Sequence, residues 1–241
     1  MAIDIFKQQS ECCVLGIVEY DDAKLSEYAD LLLSIPWANE TSICQTQSFS
    51  NLYLVCILTA ALLKDDKCLL SDISDYISSF NSLSKHTENF IKDFFADHAY
   101  LTGLITLGNG KLFGVMCEGA YITVEMAQSP AHFFYTLEFR HGPIVLLDET
   151  YLVVLCSHSY QNELEENLIA DIQKKGAKVL VIASENNLKN VNFILTPGKK
   201  YATEVLGLYA SFVLQAIAYQ KAIIMEVNPD KPKDLVAWIA I

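Results

Sequence analysis

The chain alternates between short, nearly continuous hydrophobic runs and longer amphipathic ones. Segments 13–19 (CVLGIVE), 31–35, 101–108, 151–156, 178–183 and a short 192–197 read as strands. Runs of this length, rich in Val, Ile and Leu, suit a parallel sheet covered on both faces. Segments 23–29, 47–63, 111–127, 162–175 and 202–221 read as helices. Ser48 or Ser50 is the candidate cap of the second helix, and Gly176 the stop of the fourth. The polar stretch 65–98 carries Leu69, Ile73, Ile77 and Phe80 at helical spacing and predicts one or two linking helices. Strands alternating with helices predict βαβ units, hence an α/β fold of the doubly wound, parallel-sheet type.

The order strand, helix, strand, long apolar helix recurs in 13–63 and 178–221, so the two halves look like copies. The first copy begins late. A half-domain without its first βα unit would leave a hydrophobic sheet edge bare. Either something covers that edge, a second copy of the chain for example, or the sequence is a shortened version of a longer protein. A homodimer or higher homo-oligomer is the expected state.

Composition narrows the functional classes. Hydrophobic residues make up 52% and charged residues 19%, which supplies a packed core and excludes intrinsic disorder. The 17 Lys+Arg against 29 Asp+Glu give a net charge of −12. That charge argues against nucleic-acid or anionic membrane-surface partners. The longest apolar stretches, 52–63 and 205–219, fall short of the roughly 18–20 residues of a spanning helix. The start MAIDIFKQQSE lacks the layout of a signal peptide. Seven cysteines without a C-x-x-C pair predict a reduced, cytoplasmic setting, with Cys12, Cys13 and Cys56 read as buried thiols. His86, His98, His132 and His158 show no metal-ligand spacing, and neither a metal nor a cofactor is expected.

Three segments could carry chemistry. Gly108-Asn109-Gly110-Lys111-Leu112-Phe113-Gly114 is a strand–turn–helix whose amides could hold a phosphate, or simply a tight turn. The acidic residue a dinucleotide site wants about 20 positions on would fall in helix and loop here. Glu125 ends an otherwise apolar helical run, where a carboxylate is costly unless paired or used. Leu137-Glu138-Phe139-Arg140-His141-Gly142-Pro143 holds the only arginine of the chain. A structural Arg140–Glu pair with a turn-capping histidine is the plain alternative.

Glu118-Gly119-Ala120, Glu125 and Leu137–Pro143 together resemble the sugar isomerase (SIS) domain family, in particular its double-SIS phosphosugar proteins. These include the isomerase part of glutamine–fructose-6-phosphate aminotransferase, and stand-alone deaminases and deglycases. Thr46-Gln47-Ser48-Phe49-Ser50 resembles the family's T-K-S-F-T. Asn228-Pro229-Asp230-Lys231-Pro232-Lys233-Asp234-Leu235 resembles its D-x-P-R-N-L. The resemblance runs in order over nearly the whole chain. It implies two α/β/α halves with parallel sheets, the first incomplete: 1–66 a partial first SIS domain, 67–98 a helical linker, 99–241 a second SIS domain. It implies a sugar phosphate ligand and isomerase, deaminase or deglycase chemistry on a hexose or amino-sugar 6-phosphate. Glu125 matches the glutamate that moves a proton between C1 and C2. His141, sixteen residues on, matches the ring-opening histidine, often contributed across a subunit interface. Arg140 would orient it, and Glu118 is a supporting carboxylate or a structural one.

The sequence also departs from the family. Ile122, Val124 and Ala237 stand where aminotransferase-type members carry lysines, and there is no glutaminase domain. The Ser/Thr-rich phosphate loop of the first domain would lie before Met1. Ser157-His158-Ser159-Tyr160-Gln161 is a pseudo-equivalent whose Ser157 and Ser159 either contact ligand or cap a helix. Gln45 sits where relatives often place a phosphate-contacting serine. A non-catalytic phosphosugar-binding or sensing module, or a decayed relative, is the alternative reading.

Overall fold

The computed structural model describes residues 2–157, 162–186 and 188–236. After helix α1 (Ala2–Gln9), strands β1 (Leu15–Val18) and β2 (Leu31–Ser34) pair in parallel as a two-stranded sheet. Asp30 locks this unit together. Its Oδ2 accepts from the Val14 amide at 2.8 Å, and its Oδ1 accepts from Lys7 Nζ of α1 at 2.7 Å. The helix expected over 23–29 is a short 3-10 turn, Lys24–Glu27.

Helix α2 (Gln47–Lys64) and a single 31-residue helix α3 (Lys67–Asp97) follow. Asp65 adopts a left-handed conformation (φ 52°) and Asp66 caps α3 by accepting from the Leu69 amide at 3.0 Å. Two acidic residues therefore make the sharp reversal between the helices.

The larger sheet comprises β3 (Gly103–Gly108), β4 (Ala131–Tyr135), β5 (Tyr151–Ser157), β6 (Lys178–Ala183) and β7 (Phe193–Leu195). Its order is β4-β3-β5-β6-β7, every pair parallel. Helix α4 (Phe113–Ala127) connects β3 to β4, α5 (Asn162–Lys174) connects β5 to β6, and α6 (Thr203–Ile224) follows β7. Side chains alternate across the sheet as period 2 requires. Leu104, Leu152, Val154, Leu180 and Ile182 face the side of α3, α4 and α6. Ile105, Leu107, Val153, Leu155 and Val181 face Leu168, Ile169 and Ile172 of α5. The α/β reading and the parallel sheets hold.

Several local expectations fail for physical reasons. Strand β4, AHFFY, is not among the segments that read as strands. It follows Pro130 and lies at the sheet edge with half-exposed side chains, so it lacks the continuous apolar run of a central strand. Neither Ser48 nor Ser50 caps α2, because Ser48 Oγ donates to the Ala38 carbonyl (3.1 Å) and Ser50 Oγ to Gln215 Oε1 (3.4 Å). Cys13 and Cys56 are exposed and Cys12 half-buried; Cys44 and Cys156 are the buried thiols. The 18-residue α2 is long and apolar enough to cross a membrane by length and composition, although the uninterrupted run 52–63 within it is shorter. Only Ser48, Ile57 and Ala61 of α2 are fully buried.

Candidate functional site

Helix α4 carries the central residues. It starts at the turn after β3, where Gly110 takes φ +54°, and runs down one face of the sheet. Gly119 lets it press against α6: a Cβ there would sit 2.4 Å from Leu214 Cδ1. The close approach directs the flanking residues. Ile122, Met126 and Ala127 pack with Ala218 and Ala222 of α6 and with Cys44, while Leu235 closes the cluster from the C-terminal segment. Gln128, left-handed at φ 50°, ends α4, and its Nε2 donates to the Lys233 carbonyl at 2.6 Å. The end of α4 thus meets the loop after β2, α6 and the C-terminal segment.

Glu118 and Glu125 lie seven residues apart, two helical turns on one face, so about 10 Å separates them along the axis. Both are half-buried. Burial raises the Glu125 pKa. Burial and then the charge of Glu125 push Glu118 up to about 7. The thiol of Cys44 is pushed up to about 11, chiefly by burial and then by the nearby carboxylates of Glu125, Asp230 and Glu40. These four groups gather where the end of α4 meets the loop after β2.

Beside them opens a cavity of about 860 Å³. Its walls come from Asn39, Glu40, Thr41, Ser42 and Cys44, the start of α2, α3, α6, Met126 and the Pro229–Asp230 segment. Side-chain amides (Asn39, Gln47, Asn89, Gln215, Gln220) and acids (Glu40, Glu88, Asp230) dominate the polar lining, with Lys92 the one basic residue among the described residues. The cavity lies where β2 leads into its loop, at the carboxyl end of the small sheet, the edge where open α/β sheets bind ligands. Met126 of α4 is on its wall, next in sequence to Glu125, whose charge reaches Cys44 of the same wall.

Sequence reasoning missed Glu40. Its carboxylate accepts from the amides of Thr46 (2.9 Å), Gln47 (3.1 Å) and Ser48 (3.0 Å), and from Thr46 Oγ1 (3.1 Å). An anion thus already occupies the start of α2, neutralising its orphan donors. No local spacing rule announces it, since Glu40 reaches the helix from six to eight residues upstream.

The other expected residues lie elsewhere. Phe139 is buried on the α5 face of the large sheet, and Arg140 pairs there with Asp171 of α5 at 2.5 Å. The pair is therefore Arg140–Asp171, not Arg140–Glu. His141 follows it, exposed, on a segment across the sheet from α4. Gln45 is exposed and does not line the cavity, although its neighbours Cys44 and Thr46 do. Ser157, buried at the end of β5, donates to Glu165 of α5 at 2.5 Å, a contact that holds a helix. Ser159, His158 and Ala237 lie outside the described residues. Ile122 is buried in the α4–α6 cluster and Val124 exposed.

The fold matches solved structures over its whole length. Glucosamine-6-phosphate deaminase from Thermotoga maritima superimposes with a TM-score of 0.84, at 25% identity over 100% of this chain and 70% of that one. Among curated sequences, a glutamine–fructose-6-phosphate aminotransferase of Sulfurisphaera tokodaii is 24% identical over 94% of this chain. The chain is thus similar in sequence to these aminotransferases and similar in fold to a glucosamine-6-phosphate deaminase. It spans about 40% of the length of the curated aminotransferases it matches. Tagatose-6-phosphate ketose/aldose isomerase of Escherichia coli shares the fold, with a TM-score of 0.79 at 21% identity over 97% of this chain and 66% of that one. No family model matches the chain. The SIS resemblance read from 118–143 and from the C-terminal segment thus agrees with the alignment of the chain as a whole.

Proposed function

We propose that the chain is a cytoplasmic sugar-phosphate protein that moves a proton between C1 and C2 of a hexose or amino-sugar 6-phosphate, with Glu125 as the acid–base. The observation that carries this reading is the half-buried Glu125 carboxylate beside the amide- and acid-lined cavity. Aldose–ketose interconversion needs one base that removes a proton from one carbon and returns it to the next. A partly desolvated carboxylate, its pKa raised by burial, is a stronger base than an exposed one and can take the proton from one carbon and return it to the next. Glu118 stands too far along α4 to touch the same carbons. Burial and then the Glu125 charge raise its own pKa to about 7, so it carries its proton over most of the acid range.

His141 sits across the large sheet from Glu125. As ring opener it would serve the site of a second copy, with Arg140–Asp171 fixing the segment that carries it. Glu125→Gln is expected to keep the fold and abolish deuterium uptake from D₂O at C1/C2 of fructose 6-phosphate or glucosamine 6-phosphate, followed by NMR. Exchange retained in that variant would remove Glu125 from the role. A second reading, binding without turnover, is favoured by one observation: Glu40 already fills the anion position at the start of α2. Stabilisation by the same sugar phosphates without exchange in the wild-type chain would select it.

A further inference from the structure

We propose that β1 pairs its free edge with β1 of a second copy of the chain, antiparallel about a two-fold axis, so that two half-built sheets become one of four strands. Among the described residues β1 pairs with β2 alone. The carbonyls of Val14 and Val18 point to β2, accepting from the amides of Leu31 (3.1 Å) and Ile35 (2.8 Å). Alternation along the strand then turns the amides and carbonyls of Leu15 and Ile17 to the other side. The second half of the chain shows what such an edge takes. There α5, β6, β7 and α6 follow one another as α1, β1, β2 and α2 do. β6 holds β7 on one side and β5 on the other, whereas β1 holds only β2. α5 buries Leu168, Ile169 and Ile172 against β3, β5 and β6. α1 buries no residue, and its Ile5 and Phe6 are 57% and 56% exposed. The outer edge of β2 differs, since its counterpart β7 also ends its sheet.

The edge is complementary to itself. With the two-fold axis at Gly16, Leu15 stands opposite the partner's Ile17, an aliphatic cross-strand pair made twice. Gly16 meets the partner's Gly16, so no side chain obstructs the closest approach of the strands. Leu15, Ile17, Leu31 and Leu33 share one face by register, and pairing doubles that face into a continuous apolar surface. On the opposite face Gly16 and Val18 are already buried, and a Cβ on Gly16 would lie 2.9 Å from Ala29 Cβ. The exposed hydrocarbon is sufficient for a dimer. Of the 23 large apolar side chains left exposed among the described residues, nine lie between positions 5 and 37. Half-exposed side chains of this size leave roughly 100 Å² each in water, hence on the order of 900 Å² together, against the roughly 800 Å² per partner of a standard interface. Four strands also take the sheet out of the two-strand regime that is marginal in water. Antiparallel pairing sets the two cavities at opposite ends of the joined sheet, and each gains support through β2, which leads into the loop carrying Glu40.

The test is sedimentation equilibrium of the full chain over a wide range of concentration, with amide hydrogen exchange followed at both ends of that range. A mass twice that of the chain is expected at high concentration, with the amides of Leu15 and Ile17 protected there and open at low concentration, and a Tm that rises with concentration. Leu15→Pro removes an outward amide and no rung of the β1–β2 ladder, at the first residue of a strand, where proline is tolerated. One rung at the axis is lost for each copy, so association should weaken by about tenfold or more with the circular dichroism unchanged. Leu15→Lys keeps the amide and sets a charge on the 42% exposed edge position, and should weaken association without the backbone change. A chain that stays monomeric throughout would overturn the proposal. So would a dimer that both variants leave intact, or one whose Leu15 and Ile17 amides exchange freely, because the contact would then lie elsewhere. Protection of these amides at every concentration would mean that the chain covers its own edge, and would overturn it as well.

Discussion

Replacing Glu118 by Gln tests the electrostatics of α4 directly. In the folded chain this carboxyl is half-buried and its pKa stands at about 7, raised from 4.5 first by burial and then by the charge of Glu125. The native state therefore holds the Glu118 proton more tightly than the unfolded chain does. Linkage then fixes the sign: stability is fully present below about pH 4.5 and falls as pH rises to about 7 and beyond. At about 1.36 kcal/mol per pH unit between the two values the ceiling is roughly 3 kcal/mol, and residual solvent exposure reduces this to about 1–2 kcal/mol. Gln keeps the shape and cannot ionise. Glu118→Gln should match the wild type at pH 4.5 and exceed it by about 1–2 kcal/mol at pH 8, a gain of about 2–8 °C in Tm for a chain of this size. Urea unfolding at four pH values between 4.5 and 8 measures the difference. A pH-independent difference, or a variant less stable than wild type at pH 8, would refute the argument.

Lys221 is buried and donates to the carbonyls of Leu101 (2.8 Å) and Thr102 (3.3 Å), and burial lowers its pKa to about 8. Because the unfolded chain binds this proton more tightly, stability should rise by about 2 kcal/mol between pH 7.5 and 9.5; Lys221→Met should flatten that rise in the same urea series. Gly119→Ala should cost about 1–3 kcal/mol by thermal unfolding, since the added methyl would meet Leu214 and part α4 from α6. Leu31→Lys, at a 59% exposed strand position, should change stability by less than about 0.5 kcal/mol yet reduce self-association by light scattering, because it interrupts the apolar surface of the small sheet. Equal association of wild type and Leu31→Lys would take that surface out of the contact.

What was legible in the sequence follows from how each signal is encoded. The central strands β3, β5 and β6 and the helix α6 announced themselves because full burial forces continuous apolar runs, and α5 because its buried face recurs at helical spacing. The edge strand β4 did not, because half-exposure relaxes that demand. Glu125 stood out as a carboxylate that an apolar helix would otherwise reject, and the structure adds what surrounds it: Cys44, Asp230 and Glu40 arrive from segments about 80–105 residues away in sequence, a proximity no local window contains. Glu40 is the instructive case. A rule that looks for Ser, Thr, Asp or Asn at the start of a helix finds Ser48 or Ser50 and stops. The helix instead takes its anion from a loop that β2 delivers, and in doing so pins that loop as a wall of the cavity. Cap and cavity are one construction, so removing the Glu40 carboxylate should loosen the ligand site as well as the helix start. The two effects arise together because the amides it satisfies and the wall it fixes belong to the same few residues.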